Sequence, residues 1–187
     1  MEEKLDLTQH FSPKYMLPEP VASDEAVRDI DKVGLIGEAA LKDKGYFTRM
    51  VVEDRSTTRK ILNPHSVRVL IVDDDESTAL LIQKALHTFG LQTRLAHKRD
   101  EIVEALGAKP LPHLVLLDVM MPDANGFDVL NRIRHHPALK NLPVLMLTAL
   151  GDRKDITRGL LLGADGYLTK PVLPSVLLQA IETVIGG

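Results

Sequence analysis

Leu114-Val115-Leu116-Leu117-Asp118-Val119-Met120-Met121-Pro122-Asp123-Ala124-Asn125-Gly126 is the stretch whose reading decides the fold. Four consecutive aliphatic residues before Asp118 predict a strand covered on both faces, as in a parallel sheet. Met121-Pro122 and Asn125-Gly126 then predict a loop. Asp118 is thereby set at the carboxyl edge of a sheet, where open α/β folds hold their ligands. A lone aspartate at such a place often binds a loop amide or caps a helix. A second acidic site bears on the choice. Val67 to Val72 reads as another apolar strand and runs directly into Asp73-Asp74-Asp75-Glu76. If the two strands are neighbours their carboxylates converge, and close like charges need a cation or a proton. Mg²⁺ suits such a cluster, because it takes oxygen ligands, keeps waters and is usually held by one or two carboxylates together with phosphate oxygens. A structural acidic turn without metal is the other reading of the same residues.

Outward from this stretch, strand and helix patterns alternate from Val67 to the end of the chain. Strands are predicted at Val67–Val72, Leu91–Ala96, Leu114–Leu117, Val144–Leu147 and Gly166–Thr169. Between and after them lie five helical patterns. The first carries Ile82, Ala85, Leu86 and Phe89 on one face, with Asp75 as its cap and Gly90 at its end. The second spans about Arg99–Leu106 and the third about Phe127–His135. Asp152 is expected to cap the fourth. The fifth has Pro174 in its first turn and Val176, Leu177, Ala180, Ile181 and Val184 on one face. Alternation of this kind predicts a doubly wound α/β fold, a parallel sheet with helices on both faces joined by right-handed crossovers.

Four pieces in this order, Leu-Ile-Val-Asp73-Asp74, Leu-Leu-Asp118-Val-Met-Met-Pro122-Asp-Ala-Asn-Gly126, Leu-Thr148-Ala149 and Gly-Tyr167-Leu-Thr-Lys170-Pro171, make residues 66 to 187 resemble the receiver domain of two-component response regulators. Each piece is weak alone; the set at these spacings is specific. The text around Leu-Thr148-Ala149-Leu-Gly-Asp-Arg-Lys-Asp and Gly-Ala-Asp-Gly-Tyr167 looks most like receivers on diguanylate cyclases and on stand-alone regulators. The resemblance implies a flavodoxin-like sheet of five parallel strands in the order 2-1-3-4-5. It implies that Asp118 is the phosphoacceptor. Asp74 and Asp118 would bind Mg²⁺ directly, the Met120 backbone carbonyl would be a third ligand, and Asp73 would act through water. Lys170 would pair with Asp118 and later with a phosphate oxygen, across a cis Lys170–Pro171 bond. Thr148 would give its hydroxyl to the phosphate, and Tyr167 would be the switch aromatic that turns inward when Thr148 moves. Taken without the motifs, Thr148 is an ordinary strand-end threonine and Tyr167 a half-buried strand tyrosine.

The implied function is a signalling switch that accepts a phosphoryl group from a sensor histidine kinase or a histidine phosphotransfer protein. It would catalyse only its own phosphorylation and dephosphorylation and would not be an enzyme with a separate substrate. A phosphorelay carrier and a pseudo-receiver used for docking are the alternatives. The complete set of Asp73, Asp74, Asp118, Thr148 and Lys170 argues against the last. Arg153, Lys154 and Arg158 beside Asp152 and Asp155 form a charge mixture suited to a homodimer through the fourth helix, fifth strand and fifth helix.

Residues 1–63 read as a small α+β extension, and 64–187 as the receiver. Pro13, Pro18 and Pro20 predict an extended start with no long regular element. Ser23 is expected to cap a helix that reaches Lys44, with Gly45 after it; Tyr46–Val52 reads as a strand and Ile61-Leu62 as its return. This pattern fits a docking or dimerisation appendage or a degenerate winged helix. Residues 1 to 62 hold ten Lys and Arg against twelve Asp and Glu, which speaks against a DNA-binding wing.

The whole chain of 187 residues carries a formal net charge of -3, with aromatics at only 4%, so no nucleic-acid partner is expected. There is no cysteine, which excludes disulfides and thiolate metal sites. No apolar run approaches the roughly 18 residues a membrane span needs. The polar start Met-Glu-Glu-Lys-Leu-Asp lacks the regions of a signal peptide, so the expected location is cytoplasmic.

Overall fold

The computed structural model describes residues 5–12, 47–48, 63–149 and 153–186. Its elements in chain order are β1 (Phe47–Thr48), a 3-10 turn (Pro64–Ser66), β2 (Arg68–Val72), α1 (Glu76–Thr88), β3 (Gln92–Ala96), α2 (Arg99–Gly107), β4 (Leu114–Leu117), α3 (Gly126–His135), β5 (Val144–Thr148), α4 (Arg153–Leu161), β6 (Gly166–Thr169) and α5 (Pro174–Gly186). The sheet order is β1-β6-β5-β4-β2-β3. The strands β2 to β6 pair in parallel. They carry the expected 2-1-3-4-5 order. The two-residue β1 adds antiparallel to β6, with Phe47 opposite Leu168 and Thr48 opposite Tyr167. The expected helix from Ser23, the rest of the strand reading at Tyr46–Val52, the Ile61-Leu62 return and the Asp152 cap all lie outside the described residues.

The central strands show why their sequences do not alternate. Along β2, Leu70 and Val72 join one core and Val69 and Ile71 the other. Likewise Val115 and Leu117 of β4 separate from Leu114 and Leu116, and Met146 of β5 from Leu145 and Leu147. A sheet covered on both faces needs apolar side chains at every position. The first core is closed by Ile102, Ala105 and Leu106 of α2 and by Phe127, Leu130 and Ile133 of α3. The second is closed by Ala79, Ile82 and Leu86 of α1 and by Leu177, Ala180, Ile181 and Val184 of α5.

Local chemistry fixes the helix starts. Asp75 caps α1, accepting from the Ser77 amide at 2.9 Å and the Thr78 hydroxyl at 2.7 Å. Asn125 caps α3 by accepting from the Phe127 amide at 2.9 Å. Gly90 closes α1 at φ 83°, the left-handed region that glycine enters without penalty. Phe89 departs from its expected place on the buried face of α1. It is the C-cap residue, at φ -90° and ψ 4°, and its side chain is 36% exposed because the chain has already left the helical path.

The opening residues add to the first core. Residues 8–11 form a turn, closed by the Phe11 amide on the Leu7 carbonyl at 3.0 Å. Leu7 and Phe11 are buried in the same cluster as α2 and α3. No helix among the described residues is long and apolar enough to cross a membrane.

Candidate functional site

Neighbouring β2 and β4 end in register, with Val72 opposite Leu117, and the Asp118 amide donates to the Val72 carbonyl at 2.9 Å. This register brings the two acidic strand ends to one place. Carboxylate oxygens of Asp73, Asp74 and Asp118 lie within 4.8 Å of one another. Asp73 and Asp118 are buried, at 2% and 7% exposure, whereas Asp74 faces solvent. Lys170 arrives from the end of β6 and donates through Nζ to Asp73 Oδ2 at 2.6 Å and Asp118 Oδ2 at 2.9 Å. The Lys170–Pro171 bond is cis, as is Lys109–Pro110.

Both carboxylates are also held by backbone. Asp118 Oδ1 accepts from the Val119 amide at 2.7 Å and the Met120 amide at 3.4 Å. Asp73 Oδ1 accepts from the Asp75 amide at 3.0 Å. A ring nitrogen of His97, just past β3, donates to the Asp73 carbonyl at 2.7 Å. Burial is the largest influence on Asp73 and lifts its carboxyl above the ordinary range, against the hydrogen bond and charge of Lys170. For Lys170, burial alone would lower the ammonium's pKa; the hydrogen bonds and charges of Asp73 and Asp118 together outweigh it, and the net direction is upward.

Three carboxylates face one ammonium. The formal excess is two negative charges, the amount one divalent cation neutralises. The donors are hard oxygens, and one of the three carboxylates stands in solvent, where bound waters can be kept. That set fits Mg²⁺ better than a nitrogen- or sulfur-seeking metal.

The loop that follows Asp118 turns back on it. The Gly126 amide donates to the Val119 carbonyl at 3.0 Å and the Met121 amide to the same oxygen at 3.2 Å. A Cβ on Gly126 would stand 2.1 Å from the Asp118 carbonyl oxygen. Only glycine permits that approach.

The remaining expected residues lie around this pocket in different ways. Thr148 ends β5 with its side chain fully buried, and its carbonyl accepts from the Lys170 amide at 2.8 Å. The Met120 side chain is 59% exposed, so only its backbone is at the pocket. Tyr167 is 1% exposed and belongs to the first core, already turned inward rather than half-buried. Its ring comes within 3.1 Å of where a Cβ on Gly159 of α4 would be, so α4 packs closely over it. Burial, then the charges of Asp155 and Asp118, push the Tyr167 hydroxyl's pKa upward. Arg158 of α4 is placed over the Phe127 ring, 4.4 Å from its centre, an attraction between cation and ring.

Sequence reasoning placed Gly126 in a loop without its close approach to Asp118, and it did not single out His97 or the amide of Val119. A histidine directly after the second strand and an Asn-Gly pair at the helix start were the available signals.

Comparison with known proteins agrees with this geometry. Residues 69–182 match the family model described as the response regulator receiver domain. The chain is 39% identical over 117 residues to the transcriptional regulatory protein GltR of Pseudomonas aeruginosa, covering 63% of this chain and 48% of that protein. It is 36% identical over 118 residues to the phosphate regulon transcriptional regulatory protein PhoB of Escherichia coli, covering 63% of this chain and 51% of that one. The chain thus spans about half the length of these curated relatives. Among solved structures, a putative response regulator from Chloroflexus aurantiacus superposes with a TM-score of 0.61 at 35% identity, covering 65% of this chain and 98% of that one. Chemotaxis protein CheY4 of Vibrio cholerae does so with a TM-score of 0.58 at 30% identity, covering 63% and 98%.

Proposed function

The chain belongs to the response regulator receiver family, and from that premise we propose that it accepts a phosphoryl group on Asp118 from a phosphohistidine donor and switches a protein-binding surface. The observation that carries this reading is the Lys170 ammonium bridging Asp73 and Asp118 beside the solvent-facing Asp74. An Asp118 carboxylate oxygen attacks phosphorus as the nitrogen–phosphorus bond of the donor breaks and the imidazole keeps the bonding pair. Such a transfer depends on in-line placement and neutralisation of the equatorial oxygens. The Val119 amide and Lys170 hold the attacking carboxylate, and Lys170 then stabilises charge on the transferred group. Asp74 and Asp118, with the Met120 carbonyl, are the groups that would hold Mg²⁺, and Asp73 would act through water. The ion would supply charge neutralisation to the phosphoryl oxygens. Thr148 meets the phosphate with its hydroxyl.

The donor is a sensor histidine kinase or a histidine phosphotransfer protein, in the cytoplasm where ATP is available. Exposed Met120, at 59% and two residues after Asp118, offers such a donor apolar contact. The signal leaves through α4, β6 and α5, with Tyr167 of β6 as the switch aromatic, and a homodimer through that face is the output we favour. The reaction proposed for this site modifies the chain's own aspartate.

The test is labelling with acetyl phosphate and Mg²⁺. One acid-stable, base-labile phosphoryl group is expected, and none in Asp118→Ala. Undiminished labelling of that variant would remove the assignment.

A further inference from the structure

Residues 5–12 pack against the receiver through two helices and one loop. The Leu5 amide donates to the Gly107 carbonyl at 3.1 Å, supplying a partner to an orphan carbonyl at the end of α2. On α3, Arg132 Nη1 donates to the carbonyls of His10 at 2.7 Å and Ser12 at 3.0 Å. His10 Nε2 returns a bond to the Arg132 carbonyl at 3.0 Å. These contacts fix the segment across α2 and α3.

Between those anchors sits Phe11, 3% exposed. Its ring shares a cluster with Val119, Met121 and Ala124, the apolar residues of the loop that follows Asp118, and with Phe127 of α3. A void of about 10 Å³, at the lower limit of what holds one water, is bordered by Phe11, Ala124, Asn125 and Val129. Asn125 is the cap of α3, and Gly126 beside it is bonded back to Val119. Val119 in turn holds Asp118 Oδ1 through its amide. The loop also gains a tie from α2, where Arg99 donates to the Asp123 carbonyl at 3.1 Å. Phe11 and the loop thus border one small void, and backbone bonds lead from Gly126 through Val119 to the carboxylate.

We propose that Phe11, held by the strap of residues 5–12, is a positioning residue for Asp118, and that it sets how fast Asp118 takes a phosphoryl group. The inference rests on the function proposed above. It differs from a purely structural role in what it affects. Phe11 sits beside the loop whose amides bond the nucleophile's carboxylate, a place that a core residue on the other face of the sheet does not share. Reactions that depend on placement lose about 10²-fold for a displacement of about 1 Å. A partial relaxation of the loop then costs on the order of tenfold.

The experiment uses the full chain, with initial rates of labelling by acetyl phosphate and Mg²⁺ at a temperature where each variant is fully folded by circular dichroism. Affinity for beryllofluoride with Mg²⁺ is measured alongside. Phe11→Ala is expected to label about tenfold more slowly and to bind beryllofluoride more weakly, and Phe11→Leu to recover to within about twofold of wild type. Ile181→Ala, in the opposite core, serves as the control. It is expected to lose comparable Tm while keeping the wild-type rate. Equal rates for Phe11→Ala and wild type would overturn the proposal, as would rates that follow lost Tm in both cores alike. Should Phe11→Ala fail to fold, Phe11→Val and Phe11→Leu read the same gradient; a graded loss of rate supports the proposal and a flat series overturns it. Absence of labelling in wild type removes the proposed function itself, whereas equal labelling of wild type and variant removes only this inference.

Discussion

Substituting Gly126 by alanine sets two effects of opposite sign against each other. Gly126 begins α3, and alanine is the better helix former by about 1 kcal/mol. Propensity alone would make Gly126→Ala stabilising. The new Cβ, however, would meet the Asp118 carbonyl oxygen at 2.1 Å, Val119 Cα at 2.8 Å and the Asp118 carbonyl carbon at 2.9 Å. Every one of these is backbone, so no side chain can rotate away. Reaching ordinary contact at 3.4 Å requires the nearest pair to part by about 1.3 Å. Forcing atoms into a packed region costs roughly 1–3 kcal/mol, occasionally more. Three backbone contacts at once put this case at the upper end, about 3 kcal/mol, so the clash wins over the propensity gain by about 2 kcal/mol, a fall in Tm of roughly 4–8 °C for a chain of this size. The displaced atoms belong to the nucleophile itself, so function should suffer more than stability. A shift of about 1 Å in a reacting group costs about 10²-fold in rate. The assay is initial labelling by acetyl phosphate, with a melt of the same sample. Gly186→Ala is the control, because nothing lies within 4 Å of the added Cβ there. It should be neutral or slightly stabilising. Wild-type labelling and Tm in Gly126→Ala would refute the argument that this glycine sets the loop.

Asp74→Ala is expected to lose Mg²⁺-dependent labelling while its Tm stays within about 2 °C of wild type, because an exposed side chain contributes little to stability; labelling that proceeds equally well in EDTA would dismiss the metal site. Asp73 carries a raised pKa because of burial, so the folded state binds more protons than the unfolded one just above the ordinary carboxylate range, and stability falls as pH rises through that window. Asp73→Asn should accordingly melt higher than wild type at pH 7 and label more slowly, and a lower Tm at every pH would contradict this sign. Lys170 has its pKa raised through Asp73 and Asp118 after burial is overcome, so its contribution is complete at neutral pH and is lost as pH climbs beyond about 10.4; melting wild type and Lys170→Met across that alkaline range should show their difference shrinking. Residues 64–187 should fold alone with a cooperative melt, but several kcal/mol less stably than the full chain, because Leu7 and Phe11 leave their places in the core; a broad, aggregating transition would show that the boundary at 63 is misplaced.

How far the chain could be read before its structure differs by region, and the differences have physical causes. Asp73, Asp74 and Asp118 were legible because they follow apolar runs that lie next to one another, β2 beside β4; Lys170 follows β6, with β5 between that strand and β4, and was legible through the family resemblance. The apolar runs themselves were clear because both faces of the sheet are covered. Phe89 was misplaced because helical periodicity continues on paper past Thr88, the last helical residue, up to the turn at Gly90. Leu7 and Phe11 were not recognisable as core. Two apolar residues four apart, followed by prolines, give no period to read, and their seat is made by α2 and α3, more than a hundred residues away in the case of Arg132. Local pattern cannot report a contact whose other half is set by tertiary packing.

The short antiparallel pairing of β1 with β6 bears on how copies could meet. An unpaired strand at the border of a sheet is a template on which another chain can continue the ladder. Of the two borders here, β3 is half-exposed, and its Arg94 folds back to donate to the Ala105 carbonyl at 2.7 Å. On β6, the positions of Tyr167 and Leu168 are already taken by Thr48 and Phe47 of the same chain. A second copy seeking to extend the sheet at β6 meets an occupied ladder. Association at that face therefore exchanges one backbone pairing for another, with β1 leaving as the newcomer arrives, or extends the sheet from the outer edge of β1, or proceeds through the side chains of α4 and α5 with every strand in place. Direct pairing of a second copy with Tyr167 and Leu168 of β6 and the β1–β6 pairing exclude one another.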